Sequence, residues 1–254
     1  MNILLVEMEG IKGHHISSYL RSIVSSLINK KKKIILLTSN EIKKNQFYPF
    51  FKKNTKIICV KKINYPSNKT QINFLKFQLQ YYNLIKKKFA RIAKENKINH
   101  VYLNTLDFID KPLSIYGSPF QNTTFSGLYL MPKFYIPFSM FSLNYLKKII
   151  YGKLFLQLLK IKNLKNIFLV DPLCFNYLKK KHTHTLKKTF FINDLGTANQ
   201  IRKFKLTKSK CQKILNIKKS KFVILVYGFI RENKSLAELV DAVSVLKERF
   251  NIIV

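Results

Sequence analysis

The chain has 254 residues and 47% hydrophobic content, enough for one large or two smaller packed domains, and this excludes a disordered polymer. Its 47 lysines and arginines face only 12 acids, a net charge of +35 that points to an anionic partner: nucleic acid, an anionic membrane face or a phosphorylated substrate. Only Arg21, Arg91, Arg202, Arg231 and Arg249 are arginines, so the lysine excess also reads as compositional background spread over solvated faces, and nucleic acid is a weak partner.

Asn2–Val6 is a short apolar run of the kind that forms a buried strand. The loop after it carries Gly10, Gly13, His14 and His15, and Ile16, Tyr19, Leu20, Ile23, Val24 and Leu27 then fall on one helix face. A strand, a glycine-bearing turn and a helix start form a corner where backbone N–H groups approach an oxyanion. His14 or His15 can hydrogen-bond a ligand oxygen there, and helix entry or packing is the equal alternative for each.

Residues 34–38 and 56–60 read as two further strands. A long helix follows over 71–96, with Ile72, Leu75, Leu79, Tyr82, Ile85, Phe89 and Ile92 as its apolar stripe. Strands are expected at 99–103 and around 123–128, with Asp107 just past the first, as a loop cap or an acceptor contact. The helix over 143–161 mixes Leu146, Ile149, Ile150, Phe155, Leu158 and Leu159 with Lys147, Lys148, Lys153 and Lys160. That pattern suits core packing, or a basic amphipathic face lying on an anionic bilayer. A strand at 166–170 leads into a helix closed by the lysines at 179–181. His182 and His184 read as a surface turn, and Asn193–Gly196 as a helix cap or a rim of the ligand edge.

Alternation of strand and helix predicts an α/β fold, a mainly parallel Rossmann-like sheet with helices on both faces, over residues 1–203. Residues 204–220 read as a polar, lysine-rich linker. The rhythm restarts with a strand at 221–227, Gly228, a loop, a helix over about 234–250 and four closing apolar residues, the first β-α-β of a second Rossmann-like domain over 221–254. The second domain reads as incomplete. Cys59, Cys174 and Cys211 are three and widely spaced, which fits a reducing compartment and no disulfide or zinc framework. The N-terminus lacks a basic leader and cleavage site, and the uncharged stretch 112–132 is interrupted by Gly, Pro and Asn, so neither a signal peptide nor a membrane span is expected.

The stretch Tyr227-Gly-Phe-Ile-Arg-Glu-Asn-Lys234, followed by Ser-Leu-Ala-Glu-Leu-Val-Asp-Ala242, resembles the opening of the donor domain in retaining glycosyltransferases of the GT-B fold. "GIKGHHISSYLRSIVSSL" is similar to the acceptor-domain opening of that superfamily, family 4 especially, and 125–134 and 168–178 resemble interior strands of that domain. The resemblance implies a hexosyltransferase that is retaining and metal-independent, with no cofactor beyond its nucleotide-sugar substrate and a glycan or lipid-linked acceptor in polysaccharide or glycolipid assembly. It implies a donor-diphosphate site at Gly228, Arg231 and Lys234, and a cleft and acceptor loop at Gly10, Gly13, His14 and His15. Phe229 and Ser235 depart from the pattern, which in some members has Arg directly after the strand glycine and usually has Gly after the lysine. The family's acidic catalytic residue lies beyond the part of that domain present here. A cytoplasmic protein, peripheral on the inner membrane face and completed by a partner chain, is the matching expectation. The other readings are a non-catalytic basic α/β protein that binds nucleic acid and an acceptor-recognition subunit.

Overall fold

The computed structural model describes residues 1–9, 15–67, 70–130, 132, 134–135, 143–193, 207–214, 216, 222–225, 241 and 250–253. The chain divides into two compact units, Met1–Thr197 and Ala198–Val254.

In the first unit the strands are β1 (Asn2–Glu7), β2 (Lys33–Ser39), β3 (Lys56–Val60), β4 (Ile98–Leu103), β5 (Thr124–Tyr129), β6 (Leu164–Leu169) and β7 (Thr189–Phe191). They form one parallel seven-stranded sheet in the order β3-β2-β1-β4-β5-β6-β7. The chain works outward from β1 to β3 and then returns to the centre, placing β4 on the other side of β1. The strand order therefore reverses between β1 and β4, the topological switch point of a doubly wound sheet.

Helices cover both faces because parallel strands are apolar on both. Alternate residues of each strand point to opposite sides. Ile3, Leu5, Ile34 and Leu36 pack under α1 (Arg21–Asn29) and α2 (Tyr48–Asn54), through Val24 and Phe51. On the opposite face Leu4, Val6, Ile35, Leu37, Val101, Leu103, Ile167 and Leu169 form the larger core. Above it lie α3 (Gln71–Asn96), α4 (Asp110–Tyr116), α5 (Leu143–Leu159) and α6 (Pro172–Lys181). α1 continues a π-helical turn over His15–Leu20.

α3 covers the expected span, but its stripe is rotated and shorter at the N-terminal end. Ile72 and Leu75 are 68% and 37% exposed, while Phe77, Gln78 and Tyr81 join Tyr82, Ile85, Phe89 and Ile92 in the buried face. Length explains this: 26 helical residues extend about 39 Å against about 20 Å for a six-residue strand, so the first turns overhang the sheet. The overhang is packed by rings instead, with Tyr65 against Phe74 and Phe77, and Phe77 against Phe108, at centroid distances of 5.7, 5.2 and 5.6 Å. Thr70 Oγ1 caps the helix by accepting from Asn73 N, and Lys97 ends it in the left-handed region at φ 45°.

α5 buries Phe155 and Leu158 and leaves Leu146, Ile149 and Ile150 exposed. No disulfide joins the three cysteines, and burial with the nearby Asp171 carboxylate pushes the Cys174 thiol up to about 12. His182 closes α6, and His184 lies in the 3₁₀ turn that follows.

The second unit contains α7 (Lys208–Ile214) and the strands β8 (Phe222–Leu225) and β9 (Phe250–Ile253). These strands pair in parallel with each other, in a sheet separate from the first. A parallel pair needs a crossover between its strands, and Asp241 within that crossover is helical. Across both units, no helix among the described residues is long and apolar enough to cross a membrane.

Candidate functional site at the switch point

All strands of the first sheet run the same way, so their C-terminal ends share one edge, and ligands of open α/β sheets bind outside that edge at the switch point. The described acids of the first unit concentrate there. Glu7 ends β1 and Glu9 follows it, Glu41 follows β2, Asp107 and Asp110 follow β4, and Asp171 follows β6. Among the described acids of the first unit, only Glu95, near the end of α3, lies elsewhere.

Glu7 is the centre of this edge and is 1% exposed. Its Oε2 accepts from Asn104 Nδ2 at 2.6 Å and from Thr105 Oγ1 at 3.3 Å, both on the chain leaving β4. Its Oε1 accepts from the backbone N–H of Glu9 at 2.9 Å. Asn104 N–H donates to the Val6 carbonyl at 3.0 Å, extending the β1–β4 pairing by one bond beyond the ladder. A buried carboxylate is costly unless its oxygens are filled, and here both are. The result is a rigid turn carrying Glu9 out of the core: its carbonyl accepts from Ser39 Oγ at 3.2 Å, and its half-buried carboxylate lies 4.0 Å from Lys62 Nζ.

Tyr81 of α3 packs over this turn. Its hydroxyl is buried without a hydrogen-bond partner among the described residues, as is that of Thr38 at the end of β2. Burial, reinforced by the Glu7 and Glu9 charges, holds the Tyr81 phenol well above its ordinary value, so it stays protonated and able to donate.

A second network fixes the chain after β4. Gln78 Nε2 donates to the Asp107 carbonyl at 2.5 Å and to Asp110 Oδ1 at 2.7 Å, and Tyr129 hydroxyl donates to Asp110 Oδ2 at 2.6 Å. Burial, with the Asp110 and Asp107 charges, raises the Tyr129 phenol well above its ordinary value. Lys111 Nζ sits 3.4 Å from Asp110 and over the rings of Phe74 and Tyr151. Gly127 makes the arrangement possible: a Cβ there would lie 3.2 Å from Leu106, whose turn Leu106–Phe108 packs directly on β5.

Of the residues singled out from sequence, Asp107 reaches this edge. Its Oδ2 accepts from Leu130 N–H at 2.8 Å, tying the turn after β4 to the end of β5, which is a loop-fixing role. His15 starts the π-helical turn. Gly10, Gly13, His14, Gly228, Arg231 and Lys234 lie outside the described residues. Glu7, Asn104, Tyr81 and Asp110 were not singled out. The signal for Glu7 was present all the same: a charged residue closing an apolar run in a chain poor in acids. Among the described residues no cluster of three His, Cys, Asp or Glu side chains could hold a metal ion.

No family model matches the chain, and no curated protein matches its sequence. Solved structures match its fold. A UGT transferase from Siraitia grosvenorii, in complex with UDP, aligns with a TM-score of 0.54 at 9% identity, over 99% of this chain and 64% of its own. Sucrose-phosphate synthase from Thermosynechococcus elongatus aligns with a TM-score of 0.58 at 12% identity, over 100% of this chain and 70% of its own. UDP-GlcNAc 2-epimerase from Neisseria meningitidis, bound to UDP-GlcNAc, gives 0.53 at 12% identity, over 99% and 64%. The fold is of the GT-B type. The chain spans less than two thirds of the length of the Siraitia and Neisseria proteins. Transferases and an epimerase share this fold, so it defines the ligand-bearing edge and leaves the reaction to the side chains placed there.

Proposed function

We propose that the chain is part of a glycosyltransferase that moves a sugar from a nucleotide-sugar donor to a glycan or lipid-linked acceptor. The observation that carries this reading is the filled carboxylate of Glu7 at the β1–β4 switch point of a GT-B-type sheet, which holds a second carboxylate, Glu9, at the ligand-bearing edge. Sugar hydroxyls donate hydrogen bonds, and a carboxylate fixed at that edge is suited to receive and orient them. The glycine loop Gly10–Gly13 with His14 and His15 follows Glu9 directly in the chain, so the same edge continues into the acceptor loop of this proposal.

On the donor side, Gly228, Arg231 and Lys234 would hold the diphosphate, with Arg231 forking two oxygens and Lys234 adding a point charge. Charge building on the leaving diphosphate is then met by protein cations, without a metal and with retention at the anomeric carbon. Further polypeptide would supply the remainder of the donor site. The exposed Leu146, Ile149 and Ile150 of α5, interleaved with Lys147 and Lys148, favour peripheral contact with an anionic bilayer on the cytoplasmic side.

The test is a calorimetric titration of the chain with UDP, GDP and ADP. The expected result is saturable binding of one nucleotide diphosphate that is lost in the Arg231→Ala/Lys234→Ala variant. Unchanged affinity in that variant removes the donor site from this loop. A steep salt dependence with single-stranded DNA competing for the same site supports the nucleic-acid reading instead. A membrane role for α5 predicts co-sedimentation with phosphatidylglycerol vesicles that falls when Leu146, Ile149 and Ile150 are replaced by Asn.

A further inference from the structure

A groove of about 560 Å³ lies between the end of edge strand β3 and the middle of α3. Gln80, Leu84 and Lys88 line one wall; spaced four residues apart, they form a single row along α3. The opposite wall is Val60 and the segment leaving β3, which contributes Lys61 and Lys62. Three lysines thus line one concave surface together with the apolar Val60 and Leu84, whereas Lys52 and Lys53 of α2 line no such groove. A cleft lined by one sign of charge concentrates its field, which a convex lysine surface does not. The groove is also tied to the switch-point edge, since Lys62 lies 4.0 Å from the Glu9 carboxylate. That contact offsets one positive charge. Lys61 and Lys88 make no salt bridge among the described residues, and their two positive charges match in size the roughly two negative charges of one phosphate monoester.

We infer that this groove binds a phosphate group carried by the acceptor. Phosphate oxygens would take hydrogen bonds from Lys61, Lys88 and the Gln80 amide, with the adjoining carbon skeleton on Val60 and Leu84. Calling the ligand an acceptor rests on the glycosyl-transfer reading; the anion site itself does not.

The experiment is a calorimetric titration of the full chain with inorganic phosphate, glucose 6-phosphate and glucose, and a flotation assay with phosphatidylglycerol or phosphatidylcholine vesicles. Two variants each remove two charges: Lys61→Gln/Lys88→Gln in the groove, and Lys52→Gln/Lys53→Gln on the exposed side of α2. Glucose 6-phosphate should bind saturably and glucose should not. The groove variant should weaken binding about tenfold or more and the α2 variant less than about twofold. Lys61→Arg/Lys88→Arg should restore binding if charge, rather than local folding, is the cause. If phosphatidylglycerol vesicles show the same dependence on Lys61 and Lys88 and glucose 6-phosphate competes, the phosphate belongs to a lipid headgroup; dependence confined to glucose 6-phosphate assigns it to a free sugar phosphate. Equal weakening by the two double variants, or glucose binding as tightly as glucose 6-phosphate, overturns the inference. Repeating the titration in Arg231→Ala/Lys234→Ala separates the two proposals, because the groove's dependence on Lys61 and Lys88 should persist there whatever that variant does to nucleotide binding.

Discussion

Two buried carboxylates at the C-terminal edge of the sheet and the exposed lysines of α2 and α3 behave in opposite ways. Glu7 and Asp110 are buried and filled by donors from separate parts of the chain, as with Asn104 on Glu7 and Gln78 and Tyr129 on Asp110. The lysines of α2, and Lys86 and Lys87 of α3, are exposed and make no salt bridge among the described residues. Net charge therefore describes the surface, while the scarce sign marks the site. A buried ion persists only where the fold supplies its partners, whereas an exposed lysine asks nothing of its neighbours.

The largest test of this contrast is Glu7→Leu. It leaves Asn104, Thr105 and the Glu9 N–H facing an apolar side chain, and should cost about 3 kcal/mol or more in urea unfolding. A loss below about 1 kcal/mol would mean that the edge is not held by this carboxylate. Gly127→Val comes next. The new side chain would press on Leu106 and Leu103, at 3.2 and 3.3 Å from the Cβ position, and displace the turn that carries Asp107; about 2 kcal/mol of destabilisation is expected by the same measurement.

A smaller effect concerns His100 on β4, whose Nδ1 lies 2.8 Å from Thr124 Oγ1. Burial, then the nearby Lys165 charge, holds this imidazole below its ordinary value of 6.5. The unfolded chain therefore binds a proton at a higher pH than the folded chain does. Its contribution to stability is complete above about pH 6.5 and is lost as the pH falls from there through the folded-state value. Melting temperature should drop on acidification through that window, and His100→Asn should flatten the slope. His182, lowered by burial and by His184, supplies a further part that His182→Asn removes. The smallest effect is expected from Lys86→Gln/Lys87→Gln, which should shift stability by no more than about 0.5 kcal/mol. A larger shift would show that surface lysines carry structural weight.

Much of the fold was legible before any coordinates. The strand at 56–60 and the helix over 71–96 coincide with β3 and α3, because an apolar run and a long 3.6-residue period are local signals. α2 and α4 escaped, since seven helical residues are too short to show a period. At the site, Asp107 is legible from its place after a strand as a loop cap or an acceptor contact, and its bond to Leu130 N–H is a loop-fixing contact. Glu7 and Asn104 were missed because 97 residues separate them in sequence and only the reversal of strand order makes them neighbours.

Sequence by itself determined the alternation of strand and helix, the apolar faces that make the sheet parallel and two-sided, and the shortage of acids. Tertiary structure decided where those acids went. A carboxylate's burial depends on donors brought from distant segments, and no local pattern records which segments the strand order will place side by side.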